Sequence, residues 1–175
     1  MNALSEVKPN ELMCISPEAF KDGMANLAGA VNIVTTVGKS GKVGFTATAV
    51  CSVSDYPATM LVCLNRNASV YQTFKDCNTL AINTLGVGQD NLSNLFGGKA
   101  SMGDRFANGE WETLTTGSPI LSNAAVSFDC IVIAKHSVAT HDVMYCEVVA
   151  ISQNASAGSL IYHQRSYQQI SAKAD

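Results

Sequence analysis

Residues 44–54 read GFTATAVCSVS, and this stretch decides which class of fold the chain can adopt. Side chains alternate between the two faces of a strand, so the pattern predicts a strand with small apolar residues on one face and hydroxyls on the other. Threonine and valine favour strands, but a strand in a protein core usually carries more bulk than this one does. We therefore expect something other than the strand's own side chains to fill the space beside it.

Further strand patterns flank this stretch on both sides. VNIVTTV, residues 31–37, ends at the turn 38–41 and predicts a hairpin with the opening stretch. More strands are predicted at residues 58–65, 79–85, 124–134 and 143–151, with one last strand, LIYHQRSY, at 160–167. Many strands with few helices favour a mainly β, α+β fold, an antiparallel barrel or sandwich with peripheral helices. A parallel sheet is disfavoured because helices do not regularly separate the strands.

Three helices and one long loop complete the predicted organisation. Residues 16–18, Ser-Pro-Glu, give a capped helix start, and the helix then carries apolar residues at helical spacing: Phe20, Met24, Leu27 and Val31. Asn67 can cap a short helix that extends through Phe74. Residues 89–96 form a helix that stops at the glycine pair 97–98. Residues 99–119 show no periodicity and predict a long surface loop, which in a compact domain is more often functional than idle.

Length, charge and cysteine usage limit the classes of function. The 175 residues predict a flexible leader, 1–15, followed by a single domain, 16–175. The net charge is −3 and no run of basic residues forms, which disfavours nucleic acid as a partner. The sequence has neither a signal-peptide pattern nor the roughly 18 apolar residues of a membrane span, so we expect no membrane association and a cytoplasmic location. Six cysteines without a CxxC pair predict reduced thiols.

Familiar catalytic motifs are missing from the sequence, and small hydrogen-bonding residues near strand ends remain. There is no GxSxG, phosphate loop or GxGxxG, and the three histidines and scattered cysteines predict no metal site. LNRNAS, residues 64–69, either caps a helix or holds a phosphate on helix amides with Arg66 and Ser69. By themselves, Lys99 and Arg105 fit solvated loop charges, and THD at 140–142 fits a turn.

Taken together and in order, these motifs resemble the flavin reductase-like family. The resemblance rests on GFTATAVCSVS, MLVCLNRNASV, NLFGGK with DRF and a tryptophan behind it, THD, and IYHQRSY, and it spans residues 20–167. It implies a flavin-binding split β-barrel and a homodimer with flavin near the subunit interface. Such proteins use NADH or NADPH to reduce FMN or FAD, which diffuses to a partner flavin-dependent monooxygenase. Two subgroups fit, the reductases of 4-hydroxyphenylacetate hydroxylation and those of pyrimidine utilisation.

The resemblance also implies roles for individual residues. The platform for the flavin ring would be Thr46, Thr48, Ala49, Val50 and Ser52. The ribityl chain and phosphate would be held by Asn65, Arg66 and Ser69, with Lys99 and Arg105 completing the charge match. His141 would be the catalytic residue beside the nicotinamide, with Asp142, Arg165 and Tyr167 also near the cofactors. The sequence departs from the family's glycine-aspartate-histidine order, because Thr140 precedes His141 and Asp142 follows it.

The implied reaction is transfer of a hydride from C4 of the reduced nicotinamide to N5 of the flavin. This chemistry belongs to the cofactors, which agrees with the absence of a nucleophile or an acid–base pair among the sequence motifs. Two alternatives remain open from the sequence. One is a split-barrel flavoprotein oxidase that retains its flavin, and the other is a flavin-binding module without reductase activity.

Overall fold

The computed structural model describes residues 15–172, so all of the predicted leader except Ile15 lies outside the described residues. The helices are α1 (Pro17–Ala25), α2 (Tyr71–Asp76), α3 (Asp90–Gly97) and α4 (Met102–Ala107). The first strands are β1 (Gly29–Ala30), β2 (Asn32–Gly38), β3 (Gly41–Ala47), β4 (Val50–Asp55), β5 (Ala58–Asn65) and β6 (Thr79–Thr84). The later strands are β7 (Trp111–Thr113), β8 (Pro119–Leu121), β9 (Val126–Val138), β10 (His141–Gln153), β11 (Ser159–His163) and β12 (Ser166–Ile170).

One antiparallel sheet of seven strands dominates the structure, in the order β3-β2-β6-β9-β10-β5-β4. A three-stranded sheet, β1-β11-β12, and the pair β7-β8 lie beside it. The predicted hairpin is confirmed, with Gly38 opposite Gly41 in the register of β2 and β3. A mainly antiparallel β structure with few helices is therefore confirmed. Within residues 15–172 no ladder of hydrogen bonds joins the outer strands β3 and β4. None of the described helices is both long and apolar enough to span a membrane.

The main core is enclosed by the large sheet and covered at one end by α2. Phe74 of α2 is fully buried and meets Phe45 of β3 edge to face, with ring centroids 4.9 Å apart. Burial raises the pKa of the thiols of Cys77, Cys130 and Cys146, so these cysteines stay protonated and behave as small core residues. The five cysteines that the structure describes are all free thiols, as predicted.

The predicted strand across residues 44–54 is interrupted, and this correction shapes the site. β3 ends at Ala47 and β4 begins at Val50, where the Val50 amide donates to the carbonyl of Thr48 at 2.9 Å. The interruption shifts the alternation of faces: Val50 packs against the core while Cys51 and Val53 are exposed. Thr48 and Ala49 therefore form an exposed corner between the two outer strands of the sheet.

The prediction of a surface loop at residues 99–119 was also wrong, because this segment contains α4, β7 and the start of β8. Its aromatic residues hold it against α3: the rings of Phe96 and Phe106 are 5.1 Å apart, and those of Phe106 and Trp111 are 4.8 Å apart. These three positions share no helical or strand spacing, so no local pattern predicts that they meet.

The end of the chain forms two strands instead of the single strand predicted. β11 and β12 pair as a hairpin around Gln164 and Arg165, which have positive φ values of 48° and 59°. Positive φ is uncommon for residues other than glycine, and this explains why the turn carries no signal in the sequence.

Candidate active site at the corner between β3 and β4

The exposed corner at Thr48 opens into two adjoining cavities that we call the Thr48 groove. The cavities have volumes of about 580 and 460 Å³ and share Thr48 and Tyr162 in their walls. One is walled by α1 together with Thr48, Ala49 and Val50. The other is walled by β3, the end of α3 and Tyr167 of β12. The groove therefore brings six of the sequence-predicted site residues together: Thr46, Thr48, Ala49, Val50, Arg165 and Tyr167.

Hydrogen bonds fix the α3 wall of the groove. The Thr46 hydroxyl donates to the backbone carbonyl of Ser93 at 2.7 Å. The Tyr167 hydroxyl lies 2.9 Å from both the Ser93 hydroxyl and the side-chain oxygen of Asn94. These contacts join β3, α3 and β12, so the polar groups along this wall are held in place before any ligand arrives.

The α1 wall is apolar and loosely packed. Phe20, Met24 and Leu27 are 56%, 46% and 63% exposed, and none of the residues of α1 is buried. The helix is held at the turn between β11 and β12, where the Gln164 amide donates to the carbonyl of Ala25 at 2.7 Å and Arg165 pairs with Asp22. Apolar side chains with Lys21 and Arg165 beside them suit a flat apolar ring that carries an anionic group.

A second group of predicted residues lies where β5 ends beside β10. His141 is directly opposite Asn65 in the register of these strands, and the Arg66 amide donates to the carbonyl of Thr140 at 3.0 Å. The Cys63 amide donates to the carbonyl of Ala49 at 3.0 Å, which places the Thr48 groove two residues along β5 from Asn65. The two groups of predicted residues are thus connected through β5.

His141 is half-buried, and its ring is oriented by a neighbour. Its Nδ1 atom lies 2.9 Å from the hydroxyl of Thr140. Because this contact occupies Nδ1, Nε2 is the ring nitrogen left to meet a ligand.

Asp142 is 7% exposed and has a structural environment. Its carboxylate accepts hydrogen bonds from the hydroxyls of Ser137 at 2.7 Å and Tyr71 at 2.8 Å. These bonds, that of Ser137 first, lower the pKa of Asp142 below its ordinary value. Tyr71 has no signal in the sequence that links it to Asp142, 71 positions away.

Replacing Asp142 with alanine is expected to destabilise the fold in a way that depends on pH. A carboxyl whose pKa is lowered by folding contributes stability above its ordinary pKa and loses it as the pH falls through the folded-state value. The stability difference between the variant and the original chain should therefore be full at pH 7 and smaller at an acidic pH below the ordinary pKa of an aspartate. Urea unfolding at both pH values measures this, and a difference independent of pH would contradict the role of the charge.

Lys99 and Arg105 occupy very different places. Lys99 is exposed in a depression that shares Asn94 and Gly98 with the Thr48 groove. Arg105, predicted on a surface loop, is instead 4% exposed, and its guanidinium donates to four backbone carbonyls. Arg105 therefore supports the α3 wall of the groove from beneath.

The remaining predicted residues lie outside the groove. Ser52 is exposed on β4 and does not line either cavity, and Ser69 is exposed in the turn after β5. The predicted helix cap at Asn67 was wrong: α2 begins at Tyr71 without a side-chain cap, and the Asn67 amide instead donates to the Asn65 side chain at 2.8 Å. The prediction from the sequence missed Ser93, Asn94 and Gly97, because only folding places α3 beside Thr46.

The Thr48 groove offers the kinds of groups that a flavin mononucleotide requires. A flavin ring is flat with polar edges, and the groove offers hydroxyls and an amide from Thr48, Tyr167 and Asn94. Lys21, Arg165 and Lys99 lie around it, as a phosphate requires. Gly97 leaves space in the groove. A Cβ at this position would lie 3.6 Å from the Cβ of Thr46, which is an ordinary van der Waals distance, so the fold would tolerate it although it would take up space in the groove.

Replacing Gly97 with alanine is expected to weaken FMN binding about threefold or more without loss of stability. The added methyl group fills space in the groove, while alanine in place of glycine at the end of α3 favours the helix by up to about 1 kcal/mol. Fluorescence titration with FMN and thermal unfolding measure the two effects. Gly23→Ala in α1 is the matched control, because a Cβ there has nothing within 4 Å. Equal FMN affinity in both variants would contradict the placement of the ligand.

Comparison with known proteins finds relatives that are similar in sequence and in structure. The chain is 50% identical over 167 residues to the FMN reductase (NADH) RutF of Acinetobacter baylyi, covering 95% of the chain and 89% of that relative. It is 52% identical over 159 residues to the protein of the same name from Pseudomonas syringae, covering 91% and 89%. The crystal structure of a Haemophilus somnus protein, named as a candidate flavin reductase, matches with a TM-score of 0.87 and 47% identity, covering 89% of this chain and all of that one. Residues 24–171 match the model of the flavin reductase like domain, and the chain therefore belongs to the flavin reductase-like family.

Proposed function

We propose that the chain is an NADH-dependent FMN reductase. The observation that carries this proposal is the Thr48 groove, whose walls include residues from three of the stretches that carry the family resemblance, GFTATAVCSVS, NLFGGK and IYHQRSY. The relatives at 50% and 52% identity are named as FMN reductases that use NADH, and this supports FMN over FAD and NADH over NADPH. Their common name, RutF, favours the pyrimidine-utilisation subgroup over the 4-hydroxyphenylacetate subgroup.

Bound in the groove, FMN would supply the acceptor for a hydride from the nicotinamide of NADH. The chain's own contribution is to bind and orient the two molecules. Thr46, Thr48, Ala49 and Val50 let the ring approach the backbone closely, because none of them carries a bulky side chain. Asn65, Arg66 and Ser69 hold the ribityl chain and phosphate. His141 orients the nicotinamide through Nε2, and the apolar side chains of α1 limit access of water.

Arg165 and Tyr167 bind the nicotinamide nucleotide in this proposal, and Asp142 contributes indirectly. Arg165 is already paired with Asp22, so it is the residue that couples nucleotide binding to α1. Asp142 supports the start of β10 through hydrogen bonds from Ser137 and Tyr71, and thus holds His141 in position. Arg105 likewise has a positioning role, because it donates hydrogen bonds to the carbonyls of Gly44 and Phe96 and so holds α3 against β3.

The test is anaerobic. Purified protein is mixed with NADH and substoichiometric FMN, and bleaching of the flavin absorption is followed beside an enzyme-free control. Rapid bleaching of free flavin is expected, faster with FMN than with FAD. Flavin binding without any acceleration by NADH or NADPH would overturn the reductase function and leave a flavin-binding module. Turnover restricted to flavin that stays bound would favour the oxidase.

We further propose the split-barrel form of the family for the large sheet. β3 and β4 are its outer strands, yet only Thr48 and Ala49 connect them, so the sheet must curve until its two edges approach each other. Contacts between β3 and β5 support this curvature. The Thr48 groove then lies at the split between the edges.

A homodimer is proposed from exposed apolar side chains on the same sheet. Large apolar side chains there are between 37% and 52% exposed on β4, β9 and β10: Val53, Ile131, Ile133, Val149 and Ile151. An exposed apolar area of this kind marks a protein interface. Light scattering should give twice the 18.4 kDa mass of one chain.

The proposed partner is a flavin-dependent monooxygenase that receives diffusible reduced flavin, as the family resemblance implies. We place the protein in the cytoplasm, and this is supported by the described cysteines, which are all free thiols as a reducing compartment requires.

A further inference from the structure

A shallow channel continues from the Thr48 groove along the exposed face of α3, and we call it the α3 trough. Asn94 and Gly98 line both the groove and the next depression. Asn91, Leu95 and Asn108 line that depression and also a third one, of about 290 Å³, which ends at Gln89 and Asn123. The shared residues make the three cavities one continuous channel that begins where the reacting rings would lie.

The lining of the α3 trough is rich in amides and has no acidic residue. Its side-chain amides come from five residues, which are Gln89, Asn91, Asn94, Asn108 and Asn123. Each amide offers both donors and an acceptor, which is what the mixed polar edge of a purine or the hydroxyls of a ribose require. Lys99 is the cation in this lining, and it lies in the middle depression between the groove and the far end.

The amides differ in how far the chain already uses them. Gln89 is fixed by the Gly86 amide at 2.7 Å and by Asn123 at 2.9 Å, so it is part of the wall. Asn108 donates one hydrogen bond from its side-chain amide to the carbonyl of Asp104, which leaves its side-chain oxygen available to a ligand. The Asn91 side chain is exposed and has no hydrogen-bond partner among residues 15–172. The side chains open to a ligand are therefore those at the middle of the trough.

We propose that the α3 trough binds the adenosine diphosphate half of a dinucleotide, a site that rests on the proposed reductase function. The nicotinamide or flavin ring lies in the Thr48 groove, the diphosphate passes Lys99, and the adenosine lies between Asn91 and Asn108 against Leu95. Both NADH and FAD carry this moiety. FMN lacks this moiety. Because FMN is the proposed flavin, the adenosine diphosphate in the trough would belong to NADH.

Asn91→Asp is the test variant, and Asn78→Asp is its matched control. The new carboxylate repels a diphosphate in the trough, while aspartate in the first turn of α3 suits the helix dipole and preserves the fold. Asn78 is exposed in the turn before β6 and does not line the trough, so its variant adds the same charge elsewhere. We expect Asn91→Asp to weaken binding of the adenosine diphosphate moiety about threefold or more, and Asn78→Asp to leave it unchanged.

Binding is read first without turnover. ADP-ribose is titrated into ¹⁵N-labelled, flavin-free protein, and amide shifts are expected at residues 89–100 and at Asn108, with weaker binding in Asn91→Asp. Shifts elsewhere, or equal affinity in the two variants, would overturn the proposal.

Kinetics then identify the source of the moiety. NADH is compared with reduced nicotinamide mononucleotide, and FAD with FMN. A loss in Asn91→Asp confined to NADH assigns the trough to NADH, a loss confined to FAD assigns it to FAD, and no selective loss overturns the site. If neither reduced nicotinamide is oxidised, the reductase function fails, and the ADP-ribose titration still decides whether the trough binds this moiety.

Discussion

Replacing Arg105 with alanine is expected to lower the free energy of unfolding by about 3 to 5 kcal/mol. The guanidinium donates to the carbonyls of Gly44 at 2.9 Å, Phe96 at 3.0 Å, Gly98 at 2.8 Å and Ala100 at 3.0 Å. Without it, four backbone acceptors lose their donor, and two of these bonds, to Gly44 of β3 and Phe96 of α3, are buried. Arg105 itself is 4% exposed. Burial also lowers the pKa of Arg105.

Urea unfolding measures this loss as a shift in the midpoint at constant slope. Arg105→Lys keeps the charge but has a single ammonium in place of the planar fork, so it should recover only part of the stability. Lys39→Ala in the exposed turn between β2 and β3 is the surface control and should change stability by less than about 0.5 kcal/mol. An Arg105→Ala variant as stable as that control would show that the four hydrogen bonds contribute nothing.

Arg105 also shows where prediction from the sequence succeeds and fails. Strands such as β2, β5 and β6 are predictable because β-branched residues occur together and turn residues bound them. The position of Arg105 depends on Gly44 and Phe96, which lie 61 and 9 positions away, and on an aromatic contact between Phe96 and Phe106. Neither the hydrogen bonds of Arg105 nor this aromatic contact produces a periodic pattern in the sequence. Residues 99–119 therefore resemble a loop.

The corner at Thr48 follows the same logic. Residues 44–54 have strand composition throughout, and composition alone favours one continuous strand. Asn32 of β2 donates its side-chain amide to the carbonyls of Ala30 and Ala47, at the point where β3 ends. The sequence therefore predicts which small residues face the ligand, whereas the corner that exposes them depends on a contact 15 positions away.

Replacing His141 with alanine is expected to lower kcat/KM for NADH about 100-fold, the magnitude typical of a lost orienting contact. His141 is half-buried at the start of β10, opposite Asn65, and the Thr140 hydroxyl occupies its Nδ1. The imidazole thus presents Nε2 to a nicotinamide while the fold does not depend on the ring. FMN affinity and unfolding should therefore change little, and stopped-flow reduction at varied NADH concentration separates kcat from KM.

His136→Ala is the matched control for this variant. His136 is exposed on β9 and contacts Tyr145 edge to face at 5.7 Å, away from the Thr48 groove, so its loss should not affect hydride transfer. His141→Gln can place an amide near the former position of Nε2 and should recover part of the rate, whereas a purely steric role would not distinguish glutamine from other side chains of similar size. Equal kinetics for the His141→Ala and His136→Ala variants would remove His141 from the catalytic step. The reductase function would then rest on the groove, which can bring two rings together without any help from a titratable side chain.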